Sequence, residues 1–315
     1  MIGRVTQLGL QRSSLAHLQQ NLGEMARLQE RLTTGKVLNK PSDDPAATVD
    51  AMQVRTDQRA TAQHARNAAD GNAWLTTIDS ALGDVLSDLR RARDLTVRGA
   101  SFGSLGPSAR SAIAADLRAT ADSLLETANT SYLGRSVFAG TSAHAAFVRG
   151  PEGTVTNTGR DGAEVLRRVS DTTQVRVDSA GAEVFGTDVV DADGELVRDP
   201  GTGVPVGMSV FSLLGEIATR LEAGEEVGGY LADIDARLEA VLAEVGSVGA
   251  RHKQVLQAQD ALASREITLA GRLSAVEDAD LAETIVELQL QEVAYQAALG
   301  ATSRVLQPSL LDFLR

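Results

Sequence analysis

The segment LADIDARLEAVLAEVGSVGARHKQVLQAQDALASREITLAGRLSAV spans residues 231–276 and sets the architecture of the whole chain. Steps of three and four residues from Leu231 give fourteen positions, of which eleven are apolar. This spacing places one apolar stripe along a single helix face. At about 1.5 Å per residue, it predicts a continuous helix roughly 70 Å long. The chain is therefore expected to be built from long, packed helices.

Amphipathic helices are also predicted at both ends of the chain. The first runs from residue 8 to 32 and is stopped by Gly35, and the last begins near Asp280. Neither can remain exposed at such apolar density, so we expect the two to pair in one coiled coil that forms the assembly interface. The predicted interface residues are Leu8, Leu15, Leu18, Leu22, Met25, Leu32, Leu281, Ile285, Leu288, Tyr295, Leu299, Leu306, Leu310, Leu311 and Phe313, with Leu28 widening the first stripe.

Two further helices are predicted between the first helix and the middle of the chain. One follows a linker and runs from about residue 46 to 98. Either Asp43 or Asp44 is expected to cap it, with Pro45 in its first turn. Glycines and a proline then interrupt the chain, and another helix is predicted from 108 to 131.

The middle of the chain has a different composition. Gly, Asp and Thr are frequent there, and short alternating runs such as Val175-Arg-Val177 predict strands. The predicted fold is mainly α: a long helical bundle with paired terminal coiled-coil helices and a small central β-rich insert. The predicted domains are 1–44 paired with 280–315, a bundle of 45–141 and 207–279, and an insert of 142–206.

Composition excludes several functions. The net charge of −12 disfavours nucleic-acid binding, which needs clustered basic residues. No cysteine is present, so disulfides and thiolate sites are impossible. No apolar run is long enough to span a membrane, and the N-terminus lacks the features of a cleaved secretory signal, so a location outside the cell would need a signal-independent export route.

Motifs for catalysis or cofactor binding are weak. The four histidines (His17, His64, His144, His252) are scattered without metal-ligand spacing. Gly99-Ala-Ser101-Phe-Gly103 matches a nucleophile elbow, but a long helix precedes it where the motif needs a strand. We therefore predict no enzyme activity, no cofactor and no metal site.

Two motifs and two further segments resemble the flagellin superfamily. Gly35-Lys36-Val37, followed by Pro41-Ser-Asp43-Asp44-Pro45-Ala-Ala47, is similar to its N-terminal signature. Gly134-Arg135-Ser-Val-Phe138-Ala-Gly140-Thr141 resembles a stretch of its junction-type members, although Ser136-Val137 replace the usual tyrosine-bearing version. The family's order of motifs continues with two segments near the C-terminus, Val248-Gly-Ala-Arg251 and Pro308-Ser-Leu-Leu-Asp-Phe-Leu314.

The resemblance implies a structural part of the bacterial flagellum. The junction type implies a ring between the hook side and the flagellin filament, exported by the flagellar type III apparatus without signal cleavage. Its implied partners are other copies of itself, the other hook–filament junction protein (FlgK type), flagellin and an export chaperone, with no nucleic acid and no membrane. Filament flagellin is the near alternative, and an intracellular coiled-coil scaffold is a more distant one.

Overall fold

The computed structural model describes residues 2–101, 106–142, 144–150, 154–159, 163–190, 196–198 and 207–306. Its helices are α1 (Ile2–Thr34), α2 (Pro45–Ala100), α3 (Pro107–Ala128), α4 (Gly181–Phe185), α5 (Val210–Ala223), α6 (Leu231–Glu277) and α7 (Leu281–Leu306). Its strands are β1 (Ser131–Tyr132), β2 (Arg135–Ser136), β3 (Phe147–Arg149), β4 (Val155–Asn157), β5 (Leu166–Arg168) and β6 (Gln174–Arg176). The predicted mainly α fold with a β-rich middle is confirmed. No described helix is long and apolar enough to cross a membrane.

The chain divides into two compact units. The terminal unit comprises Met1–Ala60 and Arg265–Arg315, and the central unit comprises Thr61–Ser264. Helices α2 and α6 contribute residues to both units. The finer division into three domains stays a prediction.

Helix α6 follows the predicted stripe closely. Its buried residues recur every seven positions at Ile234, Val241, Val248, Val255 and Leu262. A seven-residue apolar repeat keeps one helix face in contact with its neighbours over many turns. The long helix predicted from residues 231–276 is therefore present and packs as expected.

The third helix ends three residues earlier than predicted. It ends at Ala128. The side chain of the next residue, Asn129, forms hydrogen bonds to another segment of the chain. The Asn129 amide donates to the Phe147 carbonyl at 2.9 Å, and its oxygen accepts from the Phe147 backbone N–H at 3.0 Å. Ser131 then pairs with Ser136 in the β1–β2 hairpin. Side-chain pairing of this kind competes with helical hydrogen bonds.

Each of the three β-hairpins in the described part of the chain has only two antiparallel strands, so their stability depends on packing. Four phenylalanines from separate segments provide it: Phe138, Phe147, Phe185 and Phe211 form an aromatic cluster with ring centroids 5.2–5.6 Å apart. Helix α5, which carries Phe211, packs against α3. This cluster joins the β-rich middle to the helices of the central unit.

Polar groups also fasten the β-rich middle to α6. Arg251 donates to the Asp178 carbonyl at 2.6 Å and also binds the Glu244 carboxylate. The Ser179 hydroxyl donates to the same carboxylate at 2.6 Å. Because Asp178 and Ser179 are fully buried, these bonds satisfy groups that would otherwise be costly to bury.

We predict that Phe185→Ala lowers the free energy of unfolding of the central unit by about 3 to 5 kcal/mol, because it removes a fully buried ring at the centre of the aromatic cluster. Urea denaturation followed by the fluorescence of Trp74, the single tryptophan and itself buried, measures this change. The control Leu166→Ala, at a half-exposed site, should change it by less than about 0.5 kcal/mol. Similar losses for both variants would show that the cluster is not the core of this unit.

Candidate assembly interface

Helices α1 and α7 pack against each other within the terminal unit. Just beyond them, Lys36 pairs with Asp278 in an antiparallel bridge, which brings the end of α1 to the start of α7. Because the two helices also pack along their lengths, they run antiparallel. The predicted pairing of the terminal helices is confirmed.

One seam of each helix faces the other at coiled-coil spacing. The seam residues are buried or half-buried and follow steps of three and four. On α1 they are Ser14, Leu18, Asn21, Met25, Leu28 and Leu32, and on α7 they are Thr284, Leu288, Gln291, Tyr295, Ala298 and Thr302. Several are polar, so the seam buries less apolar surface than a continuous leucine stripe would.

The other predicted interface residues lie beside this seam. Leu15, Leu22, Leu281, Ile285 and Leu299 are each more than 40% exposed. The backbones of Leu8 and Leu306 are helical, but their side chains fall outside what the structure describes, and Leu310, Leu311 and Phe313 lie outside the described residues altogether. The predicted set therefore contains both seam residues and residues that the α1–α7 pair leaves uncovered.

Helix α7 carries a second apolar surface, here called the outer face: Val286, Leu290 and Val293. Each member lies two residues after a seam position, which is about 200° around the helix. All three are exposed, and Leu290 is 69% exposed. Helix α7 is thus apolar on two opposite sides, and α1 covers only one of them.

A buried carboxylate fixes the junction between the terminal helices. Glu277 is 3% exposed, and its carboxylate accepts hydrogen bonds from Lys36 Nζ at 2.8 Å and Arg55 Nη2 at 3.0 Å. The Val37 backbone N–H donates to the Glu277 carbonyl at 2.7 Å, and the Ala279 N–H donates to the Gly35 carbonyl at 2.9 Å. These contacts join the linker after α1, the start of α2 and the end of α6. We call this group the Glu277 node.

The two cations determine the charge state of Glu277. Burial raises the pKa of its carboxyl, but the hydrogen bonds and positive charges of Lys36 and Arg55 lower it further than burial raises it. The pKa therefore lies below the ordinary value of 4.5, and the carboxylate is ionised at neutral pH.

The N-terminal motif supplies the turn that surrounds this node. Gly35 adopts a φ of 69°, a conformation that glycine tolerates, and ends α1. Asp44 is the cap of α2, since its Oδ1 accepts from the Ala46 and Ala47 N–H groups. The Asp43 carboxylate instead accepts hydrogen bonds from the backbone N–H groups of Asn39 and Lys40 in the linker. These bonds close a turn that also contains Pro41.

The second motif has a different place, in the central unit. Gly134 lies in the β1–β2 turn with a φ of 76°, and Arg135 is half-buried in β2. Phe138 belongs to the aromatic cluster, Gly140 has a φ of 59°, and Thr141 is exposed. The two motifs therefore shape the backbone and the core in separate places, and they do not converge on one chemical site.

The sequence pattern missed several residues of the interface. Glu277 and Arg55 are polar, and an apolar periodicity carries no information about them. The polar seam residues Thr284 and Gln291 were missed for the same reason. The position of Glu277 directly after Val276, the last member of the α6 stripe, is the one local hint.

Within the described part of the chain, no group of three or more acidic or histidine side chains is arranged to hold a metal ion. The interface is instead a set of helix faces, polar caps and one paired carboxylate.

Two family models match the chain and together cover more than half of it. The bacterial flagellin N-terminal helical region matches residues 5–143, and the bacterial flagellin C-terminal helical region matches residues 231–314. These two regions contain α7, the Glu277 node and all but the first three residues of α1.

Curated relatives include both junction proteins and flagellins. Flagellar hook-associated protein 3 of Salmonella typhimurium is 27% identical over 58% of this chain, and the match spans 57% of that relative, less than two thirds of its length. Hook-associated protein 3 of Escherichia coli is 26% identical over 88% of this chain and 89% of its own. Polar flagellin C of Vibrio parahaemolyticus is 25% identical over 94% of this chain and 74% of its own.

Solved structures share the fold. Flagellar hook-associated protein 3 from Legionella pneumophila superposes with a TM-score of 0.61 at 17% identity, covering 71% of this chain and 98% of that one.

We predict that Glu277→Gln weakens the Glu277 node by about 1 to 3 kcal/mol at neutral pH, because the charged hydrogen bonds to Lys36 and Arg55 are lost. Hydrogen exchange at the amides of Val37 and Ala279, which bond across the node, measures the opening free energy. Because the native pKa is lowered, the parent's advantage is present above pH 4.5 and is lost as the pH falls from there through the native pKa.

A matched control is Glu24→Gln, which breaks an exposed pair with Arg27. It should leave protection of the two amides within about 0.5 kcal/mol of the parent. Equal protection in Glu277→Gln and parent at neutral pH would contradict the proposed role of the node.

Proposed function

Because the chain belongs to the bacterial flagellin family, we propose that it is the structural subunit of a junction between the flagellar hook and the flagellin filament. It is a structural component of the flagellum and not an enzyme. The proposed junction subunits form a ring, seated on the other hook–filament junction protein and carrying flagellin above it.

The observation that carries this proposal is the exposed apolar surface of α7, which no other element of the described chain covers. An apolar helix face that extends over two turns is normally buried against another element. Here α1 covers the seam, and the outer face is left exposed in the single chain. In a ring, neighbouring subunits would bury that face and gain the hydrophobic free energy that the isolated chain lacks.

The predicted interface residues that remain uncovered belong to the same proposed surface. Leu15 and Leu22 on α1, with Leu281, Ile285 and Leu299 on α7, flank the seam and are exposed. The seam residues Leu18, Met25, Leu32, Leu288 and Tyr295 would hold the pair together within one subunit. Assembly then uses a surface that the folded subunit has already shaped, which lowers the entropy cost of association.

Two observations favour the junction role over its near alternative. The matches to hook-associated protein 3 of Escherichia coli extend over nearly all of both chains, and the Phe138-Ala-Gly140 motif and the Leu311-Asp-Phe-Leu314 ending resemble junction-type members. Filament flagellin is favoured by the match to polar flagellin C over 94% of this chain.

A deletion strain distinguishes the two roles. Loss of a junction protein leaves hooks that shed flagellin monomers, whereas loss of a filament flagellin does not release other flagellins.

Assembly outside the cell requires export. We infer that the chain leaves through the flagellar type III apparatus without signal cleavage and that a chaperone covers its terminal helices beforehand. The exposed outer face of α7 supports the need for such a cover, because apolar patches of this kind promote aggregation. Recovery of the protein from sheared flagella, and not from cytosol alone, would support this route over an intracellular scaffold.

We predict that Leu290→Asp leaves the isolated subunit folded but abolishes assembly. Leu290 is largely exposed in the single chain, so the monomer loses little. In the ring, every subunit would bury an unpaired charge, at a cost of about 2 kcal/mol or more for each interface. Cells should carry hooks without filaments and release flagellin into the medium.

The control Gln289→Asp introduces the same charge at the adjacent exposed position and should preserve filaments. Normal filaments with Leu290→Asp would remove the outer face from the interface. Unfolding of the purified variant, measured by circular dichroism, would instead assign Leu290 to the core of the subunit.

A further inference from the structure

The outer face of α7 gives way to much smaller side chains toward the end of the helix. The outer face ends at Val293, and the positions four, seven and eight residues later are Ala297, Gly300 and Ala301. Residues at this spacing lie on the same side of a helix, so these three continue the line of the outer face. All three are exposed. We call them the small-residue strip.

The single chain does not require the small size of this strip. A Cβ atom added to Gly300 would meet no neighbouring group within 4 Å. Glycine also weakens the interior of a helix relative to alanine. The monomer would therefore accept a larger residue at this position, whereas a partner packed closely on the strip would limit its size.

A displacement of eleven residues relates the outer face to the small-residue strip. Val286 lies eleven residues before Ala297, and Leu290 lies eleven residues before Ala301. Eleven residues complete three helical turns with about 20° more and span about 16 Å, so the two members of each pair lie on the same side of α7. Two parallel copies of α7 that face each other with this displacement would place large side chains opposite small ones. This is the arrangement in which facing helices interdigitate without voids.

The charges of α7 favour the same displacement. Glu283, Glu287 and Glu292 are exposed and lie in the same turns as the outer face. Residues 293–306 contain no acidic residue. Copies that met without displacement would bring these carboxylates against their own counterparts, and like charges placed face to face oppose association. Displaced copies would instead bring each acidic segment beside a segment without acidic groups.

We propose that the outer face of one copy packs on the small-residue strip of a second copy, displaced by eleven residues. A second copy is the partner because one helix supplies both surfaces, at matching spacing and with compatible charge. The proposal rests on the self-assembly proposed above and names the surface that covers the outer face. Because the two surfaces differ, each copy contacts one neighbour through its outer face and the other through its strip. Such heterologous contacts repeat around a ring or along a helical stack.

An exchange of side-chain size tests this contact. Ala297→Val should lower incorporation into flagella about fivefold or more, because Val286 of the neighbouring copy would meet a larger group. Val286→Ala should also lower incorporation, since it leaves a gap in the contact. The double variant restores one large and one small side chain in every contact, so it should recover about half or more of the parent's incorporation.

The monomer and a matched control complete this test. Each purified variant should keep the parent's thermal midpoint within about 2 °C, since both positions are exposed in the single chain. The control Ala263→Val, at an exposed alanine of α6, should leave incorporation unchanged. Normal incorporation of Ala297→Val, or a double variant that is incorporated no better than Ala297→Val alone, would overturn the proposal.

A second test detects the contact itself, since the chain has no native cysteine. Val286→Cys with Ala297→Cys, expressed as the single source of the protein, should form covalent dimers and longer multimers when purified flagella are oxidised. Within one chain these two positions are about 16 Å apart along the helix, too far for a disulfide. The control Val286→Cys alone should remain monomeric, because displaced copies do not bring residue 286 against itself. Dimers of this control would show copies that meet without displacement and would overturn the proposal.

The outcomes separate this inference from the proposed function. Double-cysteine protein that is present in sheared flagella but forms no multimers would overturn the contact and leave the structural role standing. A cross-link to a protein of different mass would overturn the second copy as the occupant. Absence of the parent protein from sheared flagella would overturn both proposals.

Discussion

Helix α7 cannot bury its apolar surface with a single partner helix, and this constraint governs the rest of the molecule. Its seam meets α1, whereas Val286, Leu290 and Val293 face away from that seam and are exposed. Helix pairs in water are stabilised mainly by the apolar surface they bury. The single chain therefore leaves part of the apolar surface of α7 exposed, and in the proposed assembly neighbouring subunits would bury it. The proposed assembling role rests on this distribution of side chains on one helix.

The Glu277 node determines how that helix is presented. A buried carboxylate is tolerable when its charge is paired and its oxygens accept hydrogen bonds, and Lys36 and Arg55 meet both conditions. The backbone bonds of Val37 and Ala279 hold the two chain segments side by side at the same point. Helices α1 and α7 are consequently joined at one end, and their antiparallel register starts from a fixed position. In the proposed assembly, the charge cluster would act through the geometry of this helix pair.

The long helices could be predicted from the sequence because their apolar spacing extends over many turns. The capping carboxylates were also predictable, although the structure was needed to choose Asp44 over Asp43. The apolar positions of the candidate interface could be predicted from the sequence, but their division into two separate helix faces could not. On a helix with apolar residues on two opposite sides and beside its seam, more than one stripe fits the same spacing, so the pattern could not separate Leu288, which faces α1, from Ile285 beside it. Polar members such as Gln291 and Glu277 leave no trace in an apolar pattern, and the aromatic cluster joins segments too distant in sequence for local patterns to connect.

Coverage of the outer face in the assembled flagellum is the most direct test of self-assembly through α7. Leu290→Cys introduces the single thiol of the chain at the centre of that face. The rate of its reaction with a maleimide can be measured in dilute monomer and in purified flagella that contain the same variant. Rapid labelling of the monomer and strong protection in flagella are expected if neighbouring subunits bury the face. Equally rapid labelling in both states would contradict assembly through α7.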